Sequence, residues 1–271
     1  MSLPEDSYGR AKRLDFICAA IEARSPRRVL DVGCGAGTQL TAPLAARFPA
    51  IEITAIDEDP DSLAWAREHV RARNIRFLAP AALAAEERFD LVIASEVLEH
   101  VPDPPDFLLA LRARLDERAP LLLTVPNGYG GFEWLALIEA LLNLSGVQAR
   151  LRRLKRRQDS GLNAAPTTLA VSPHINFFAF GELGRLFADL GFAVERYRPR
   201  TVLCGYLADS LLRQPRLAAL NAGIADRLPA WCASDWMFEL RPVRPPRAAR
   251  WRRSAWARWR KRLNERRWGL R

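Results

Sequence analysis

Val29-Leu-Asp-Val-Gly-Cys-Gly-Ala-Gly37 is the stretch that decides the fold. An apolar run ends in three glycines at alternate positions, and a helical pattern follows. Glycine permits a tight turn and a close approach of backbone to a ligand. A helix that opens there presents unpaired N–H groups to a carboxylate or phosphate. The spacing is GxGxG. The dinucleotide fingerprint GxGxxG would want its third glycine at position 38, which is Thr38. Asp57 follows Gly37 by 20 residues, at the end of the next apolar run. An acid in that place can accept both hydroxyls of a ribose.

Outward from this loop the periodicity alternates between 2 and 3.6 residues. Helices are expected at 10–24, 39–48, 61–73 and 106–115, the third begun by the cap-like Asp59-Pro60 pair. Strands are expected at 27–32, 51–56, 75–78, 89–94 and 120–125. Such alternation predicts an α/β, Rossmann-like parallel sheet with helices on both faces. After Pro126-Asn127 the pattern breaks, and 128–173 reads as an insertion after the fifth strand. Within it lie an apolar helix at 132–144, the basic run RLRRLKRR at 150–157 and a polar loop at 158–173. The core resumes with a helix at 180–190, a strand at 192–197, a mostly helical stretch at 205–227 and a last strand at 235–240. Pro242, Pro245 and Pro246 then mark a linker. The chain divides on this reading into a domain, 1–243, and a basic tail, 244–271.

Three segments resemble the class I S-adenosylmethionine-dependent methyltransferases. Asp31-x-Gly33-x-Gly35-x-Gly37 matches that family's first motif and Ala55-Ile56-Asp57 its second. Phe89-Asp-Leu-Val-Ile-Ala-Ser-Glu-Val-Leu-Glu-His100 matches its fourth. The resemblance spans about residues 10–240. It implies a seven-stranded, mostly parallel sheet ending in a β-hairpin, and S-adenosyl-L-methionine as cofactor. It further implies that Asp31, Gly33, Gly35 and Gly37 hold the methionine end and Asp57 the ribose. Glu58 and Ser95 join the cofactor-binding set, and residues 94–96 line the cofactor near its methyl. Many relatives carry Gly-Asp after the third strand, with the Asp on the adenine amine. Here Leu78-Ala-Pro-Ala stands in that place, so adenine contacts are expected from backbone or apolar groups.

Glu96, Glu99 and His100 form E-x-x-E-H just past the fourth strand. On a helical turn all three share a face, at the strand ends where such sheets bind ligands. Two carboxylates and an imidazole suit a divalent cation, with oxygen ligands favouring Mg²⁺ or Mn²⁺. The spacing resembles metal-assisted O-methyltransferases of ubiquinone biosynthesis and small-RNA 2′-O-methylation, and the latter imply a further histidine, here His174. The ligand set would then be Glu96, Glu99, His100 and His174, and the same four residues are the catalytic candidates. A metal-free alternative stands beside it. Glu96 would then bond the cofactor, His100 would serve as base or packing residue, and His174 would cap the next helical region. His69 reads as a solvated surface residue.

The net charge of +10 belongs to the tail. Residues 244–271 hold 12 basic residues and one acidic residue, leaving 29 basic and 30 acidic residues for 1–243. Ala248, Trp251, Ala255, Trp259 and Leu263 recur at helical steps among the arginines. That is the pattern of an interfacial helix on an anionic membrane. A nucleic-acid arm is the less favoured partner reading, and an unstructured solubilising tail the plain alternative. The four scattered cysteines show no paired spacing and fit a reduced, cytoplasmic setting, with the tail at the inner membrane surface. No signal peptide or membrane-spanning run is read. Function is expected to be methyl transfer, on oxygen, to a small-molecule or lipid-linked acceptor. The rivals are an NAD-binding oxidoreductase, which shares the glycine loop, and a non-catalytic membrane or RNA adaptor.

Overall fold

The structure, a computed structural model, describes residues 9–131, 133, 134, 137, 138, 174–204, 212, 214–249 and 251–267. The first helix, α1 (Arg10–Arg24), leads into β1 (Arg28–Val32), α2 (Thr41–Arg47), β2 (Glu52–Ile56), α3 (Pro60–His69) and β3 (Ile75–Leu78). Next come β4 (Leu91–Ser95), α4 (Pro104–Ala113) and β5 (Leu121–Pro126). The chain continues with α5 (Phe180–Asp189), β6 (Phe192–Pro199), α6 (Pro215–Ala225), β7 (Asp235–Pro242) and α7 (Ala255–Arg267).

The seven strands form one sheet in the order β3-β2-β1-β4-β5-β7-β6. The first five run parallel, and β7 is antiparallel to both β5 and β6. The strand order reverses between β1 and β4, which pair from Val29↔Leu91 to Val32↔Ala94. A crevice at the carboxyl ends of these two strands is where open α/β sheets bind ligands.

Both faces of the sheet are covered. Val29, Ile53, Leu91, Ile93 and Leu122 pack under Phe16, Ile17 and Ile21 of α1 and Leu44 of α2. Leu30, Val92, Leu121 and Leu123 pack under Leu108 and Leu111 of α4 and Leu183 and Phe187 of α5. Central strands buried on both sides read as continuous apolar runs, as Leu121-Leu-Leu123 does.

Helix ends follow local chemistry. Asp59 accepts a hydrogen bond from Ser62 N at 3.1 Å, ahead of Pro60. Asp103 does the same for Asp106 N at 3.1 Å, ahead of Pro104 and Pro105. An oxygen-bearing cap followed by proline satisfies a stray donor and presets φ. Both helices therefore start earlier than the apolar spacing implied, and α3 ends before Arg73.

Two expectations change. The proline stretch after β7 is bonded to the domain: Val243 N and Arg247 N donate to the carbonyls of Gly191 and Asp189 at 2.9 and 2.8 Å. The tail that follows packs on the domain rather than standing apart, with Ala257 and Arg260 buried. Its inward face also differs. Ala255 and Trp259 are exposed, whereas Trp256 lies against Trp134 of the insertion with ring centroids 5.4 Å apart. A buried ion pair at Arg260 sets the rotation of α7, and hydrophobic spacing alone does not carry that information.

The start of the insertion is helical at Gly131, Glu133, Trp134, Leu137 and Ile138. The basic run at 150–157, the loop at 158–173 and the stretch 205–211 lie outside the described residues. Among the described residues, no helix is long and apolar enough to cross a membrane.

Candidate functional site

The glycine loop leaves β1 in a left-handed backbone. Gly33 has φ 73°, Gly35 φ 53° and Gly37 φ 71°. A Cβ at Gly33 would meet Val97 Cγ2 at 2.3 Å, whereas one at Gly35 would meet nothing within 4 Å. Only the backbone conformation demands glycine at 35, and the space beside it suits a ligand lying against the chain. Gly35 N donates to Asp57 Oδ2 at 2.7 Å, and Asp59 N to Asp57 Oδ1 at 2.9 Å. The carboxylate of Asp57 is thus held at the end of β2, beside the loop. Glu58 next to it is exposed.

Asp31 is buried and accepts from Thr41 Oγ1 at 2.6 Å. Burial pushes its carboxyl up to about 6, against the pull of the Thr41 bond and of Arg13. A cationic ligand group at the loop would hold it ionised. Cys34 packs with Ala55 and Leu63, and burial raises its pKa well above the ordinary thiol range, so it stays a neutral packing residue.

Beyond β4 the chain turns sharply at Glu96, whose φ of 59° is unusual for a residue with a side chain. Three anchors hold it there. Glu96 N donates to the Thr124 carbonyl at 3.1 Å, Thr124 Oγ1 donates to Glu96 Oε1 at 2.7 Å, and Arg200 Nη1 lies 3.6 Å from the same oxygen. Ser95 Oγ is 2.9 Å from Thr124 Oγ1. Arg200 is itself buried and donates to Asp235 Oδ1 at 2.8 Å. Burial raises the Glu96 pKa, but Arg200 and Arg13 outweigh it, so Glu96 sits below the usual carboxylate range. An outlying backbone fixed by a buried charge network is typical of functional turns.

Of the four residues proposed to share a metal, the structure brings together three. Ligand atoms of Glu99, His100 and His174 all lie within 4.8 Å of one another. Glu96 is outside this group because Thr124 and Arg200 claim its carboxylate. Glu99 is 1% exposed, and its two oxygens have no hydrogen-bond partner among the described residues. His100 Nε2 lies 3.7 Å from Glu99 Oε1, and the rings of His100 and His174 meet edge to face at 4.9 Å. Burial, with the Glu96 charge added, pushes Glu99 up to about 8.

His174 reaches this cluster because Asn127, just past β5, pairs with Phe178 as an isolated bridge. Ile175 N and Asn176 N both donate to the Glu99 carbonyl, at 2.9 and 3.0 Å. His174 does not cap α5, whose N-cap is Ala179. Its Nδ1 is 2.9 Å from Glu133 Oε1, and Glu133 is a buried residue of the insertion. Burial lowers the His174 pKa, but the Glu133 carboxylate more than reverses this and holds it up at about 9. His69 is exposed and stacks on Trp65 at 4.2 Å, remote in role from this cluster.

The residues that sequence spacing did not reveal are Arg13, Thr124, Glu133, Arg200 and Asp235. Each lies on a different element from the motif it supports. A signal existed for some: Glu133 stands at the start of an apolar helix, and Arg13 falls in the inward-facing stripe of α1.

Comparison with known proteins agrees with this geometry. A family model described as a methyltransferase domain matches residues 8–197. The ubiquinone biosynthesis O-methyltransferase of Xanthomonas campestris pv. campestris is 39% identical over 121 residues, covering 42% of this chain and 49% of that protein. The trans-aconitate 2-methyltransferase of Mycolicibacterium gilvum is 31% identical over 116 residues, covering 42% and 43%. The chain thus spans about half the length of the curated relatives it matches. Among solved structures, the magnesium protoporphyrin IX methyltransferase of Synechocystis PCC 6803, with bound SAH, aligns with a TM-score of 0.51 at 16% identity. That alignment covers 87% of this chain and 84% of the other, and shows a shared fold. With the family model covering most of the chain and the glycine loop, Asp57 and the turn at Glu96 in their places, the chain belongs to the methyltransferase domain family, of the class I S-adenosylmethionine-dependent type.

Proposed function

We propose that this protein transfers a methyl group from S-adenosylmethionine to a hydroxyl oxygen of a small-molecule or lipid-linked acceptor. The observation that carries the reading is the Glu99–His100–His174 cluster, with Glu99 buried and both histidines half-buried, at the same carboxyl end of the strands as the glycine loop and Asp57. The loop and Asp57 hold the donor, with Asp31 ionised opposite the cationic methionine end. The acceptor hydroxyl approaches the side where His100 lies against Glu99. As the oxygen attacks the methyl carbon in line, its proton passes to the imidazole of His100, which lies beside the Glu99 carboxyl. The carbon–sulfur bond breaks, and sulfur keeps the electron pair, giving S-adenosylhomocysteine. Most of the acceleration comes from holding two reactants in line.

The same cluster fits a divalent cation, because the buried Glu99 carboxyl, with no hydrogen-bond partner among the described residues, lies beside two imidazoles. Glu99, His100 and His174 would hold it, and a bound Mg²⁺ would lower the pKa of the acceptor hydroxyl.

A membrane-associated acceptor is supported by one patch. Trp134 and Ile138 of the insertion and Trp259 of α7 are exposed, and Trp256 lies within 5.4 Å of Trp134 and 5.1 Å of Trp259. Arg258, Arg262 and Arg266 are exposed along the same helix. Aromatic rings edged by cations suit an anionic bilayer surface. A cytoplasmic enzyme resting on the inner membrane, acting on a hydroxylated quinone precursor or a lipid-linked sugar, is consistent with this patch.

The deciding experiment is ligand-dependent melting followed by methyl transfer. S-adenosylhomocysteine should raise the melting temperature while NAD leaves it unchanged, and the reverse would defeat the proposal. Radiolabelled methyl should then appear on hydroxylated acceptors, and transfer only to amines would overturn the oxygen assignment. Turnover abolished by EDTA and restored by Mg²⁺ would support the cation; full activity in EDTA would dismiss it.

A further inference from the structure

The tail lies outside the family match, which ends at residue 197, yet it grips the segments that build the acceptor-side cluster. Arg253 Nη2 donates to the Pro102 carbonyl at 2.7 Å, and its Nε to the Ile175 carbonyl at 3.2 Å. Trp251 Nε1 donates to Asn176 Oδ1 at 3.2 Å, and its ring lies tilted against Phe178 with centroids 4.9 Å apart. Asn176 in turn donates to the carbonyls of Leu98 and Val101, at 3.2 and 2.7 Å. The segment carrying Glu99 and His100 and the one carrying His174 are therefore tied to each other and to the tail.

Further along α7, Arg260 is 1% exposed and donates to Glu133 Oε2 at 2.8 Å and to the Glu133 carbonyl at 3.1 Å. Its guanidinium lies over the Phe177 ring at 5.3 Å. The other carboxylate oxygen of Glu133, Oε1, meets His174 Nδ1. Glu133 thus bridges Arg260 and His174, with one oxygen to each. A buried carboxylate in that position cannot turn toward one partner without abandoning the other, and a buried charge left unpaired is strongly unfavourable. Because a carboxylate accepts, Nδ1 of His174 carries the proton and Nε2 is the ring nitrogen that Glu133 does not engage.

We propose that Arg260 is a positioning residue of the acceptor site: through Glu133 it fixes the ring of His174, so that the tail completes a site whose other parts follow β4 and β5. This rests on the reading of Glu99, His100 and His174 as the acceptor-side cluster. It gives the tail's inner face a role separate from any membrane contact of its outer face.

The chain has only three histidines, His69, His100 and His174, so its imidazole spectrum is simple to assign. Full-length protein with ¹⁵N-labelled histidine would be measured by long-range ¹H–¹⁵N correlation. The wild type should show His174 protonated at Nδ1 and hydrogen-bonded. Arg260→Met should shift or broaden away the His174 pattern and leave that of His69 unchanged. Affinity for S-adenosylhomocysteine should stay within about twofold, as expected for separate sites. A His174 pattern identical in the folded variant and the wild type would overturn the proposal. If Arg260→Met does not fold, Glu133→Gln, which keeps the shape and removes the charge, is read in its place by the same criterion. The measurement needs no acceptor, so a failure to methylate hydroxyls would sink the proposed reaction without touching this result.

Discussion

The glycine loop and the Glu99–His100–His174 cluster sit at the carboxyl ends of the strands of one sheet but are built in opposite ways. The loop is nearly self-contained. Three glycines with left-handed backbone, one carboxylate 20 residues on and the Gly35–Asp57 bond supply its geometry. The cluster is assembled from β4, the bridge after β5, the insertion and the tail, with Arg200 and Glu133 placed by long-range contacts. A site made of local backbone needs few residues and announces itself. A site made of buried charges needs every partner, since each unpaired member is costly.

If that contrast holds, removing a charge behind the cluster should damage the whole protein more than removing a contact at the loop. Arg200→Met takes the nearest cation from buried Asp235 and half-buried Glu96. Its unfolding free energy in urea should fall by about 3–5 kcal/mol. A loss no larger than that of a surface substitution would erase the distinction between the two regions.

At the loop the damage should be to binding. Asp57→Ala should weaken S-adenosylhomocysteine by about 1.5–3 kcal/mol in calorimetry, as for a lost bond to a charged group. Its melting temperature should also fall, by a few degrees, because Gly35 N and Asp59 N lose their acceptor. Unchanged affinity would remove Asp57 from the cofactor site. Gly35→Ala tests the backbone alone, because there is open space for the methyl group. Left-handed φ should cost about 1–2 kcal/mol of stability. A neutral outcome would show that the loop is more adaptable than its geometry implies.

Acidity sharpens the comparison further. Asp31 titrates at about 6 in the folded protein against an ordinary value of 3.8. The folded state therefore holds the proton more tightly, and this group lends stability that is present at low pH and lost as pH rises through 6. A cationic cofactor favours the carboxylate, so affinity should rise over the same window, by up to about tenfold for one unit of pKa change. Isothermal titration across that range checks it, and Asp31→Asn should flatten the profile.

The smallest effect is expected at the outer face of α7. Arg262→Gln should weaken binding to phosphatidylglycerol vesicles by about 1 kcal/mol at low salt. Binding that ignores both this change and salt would argue against an electrostatic membrane contact.

Much of the fold was legible because it rests on short-range rules. The alternation of apolar runs, the cap-like Asp59-Pro60 pair and the glycines after β1 place the parallel strands and α1 to α4 within a few residues. Helix starts were missed where proline, which lacks apolar periodicity, supplies the first turn. Glu99 and His100 were also identifiable from residue type and spacing, and His174 from the resemblance to the small-RNA 2′-O-methyltransferases. The separation of Glu96 from them was not, because it depends on Thr124 and Arg200, 28 and 104 residues away in sequence. The rotation of the tail helix was misjudged for a related reason. Ala255, Trp259 and Leu263 make the better apolar stripe, but Trp256 and Arg260 face inward, because only there does a buried arginine find Glu133.

The sequence by itself determined the sheet, the glycine loop with Asp57 and the chemistry of the residues past β4, since each follows from local backbone preference and residue type. Tertiary structure decided which carboxylates share a pocket, which histidine nitrogen carries a proton and which side of the basic tail meets the domain. Those depend on pairing charges away from water, and a charge's partner is set by distance in space rather than by spacing along the chain.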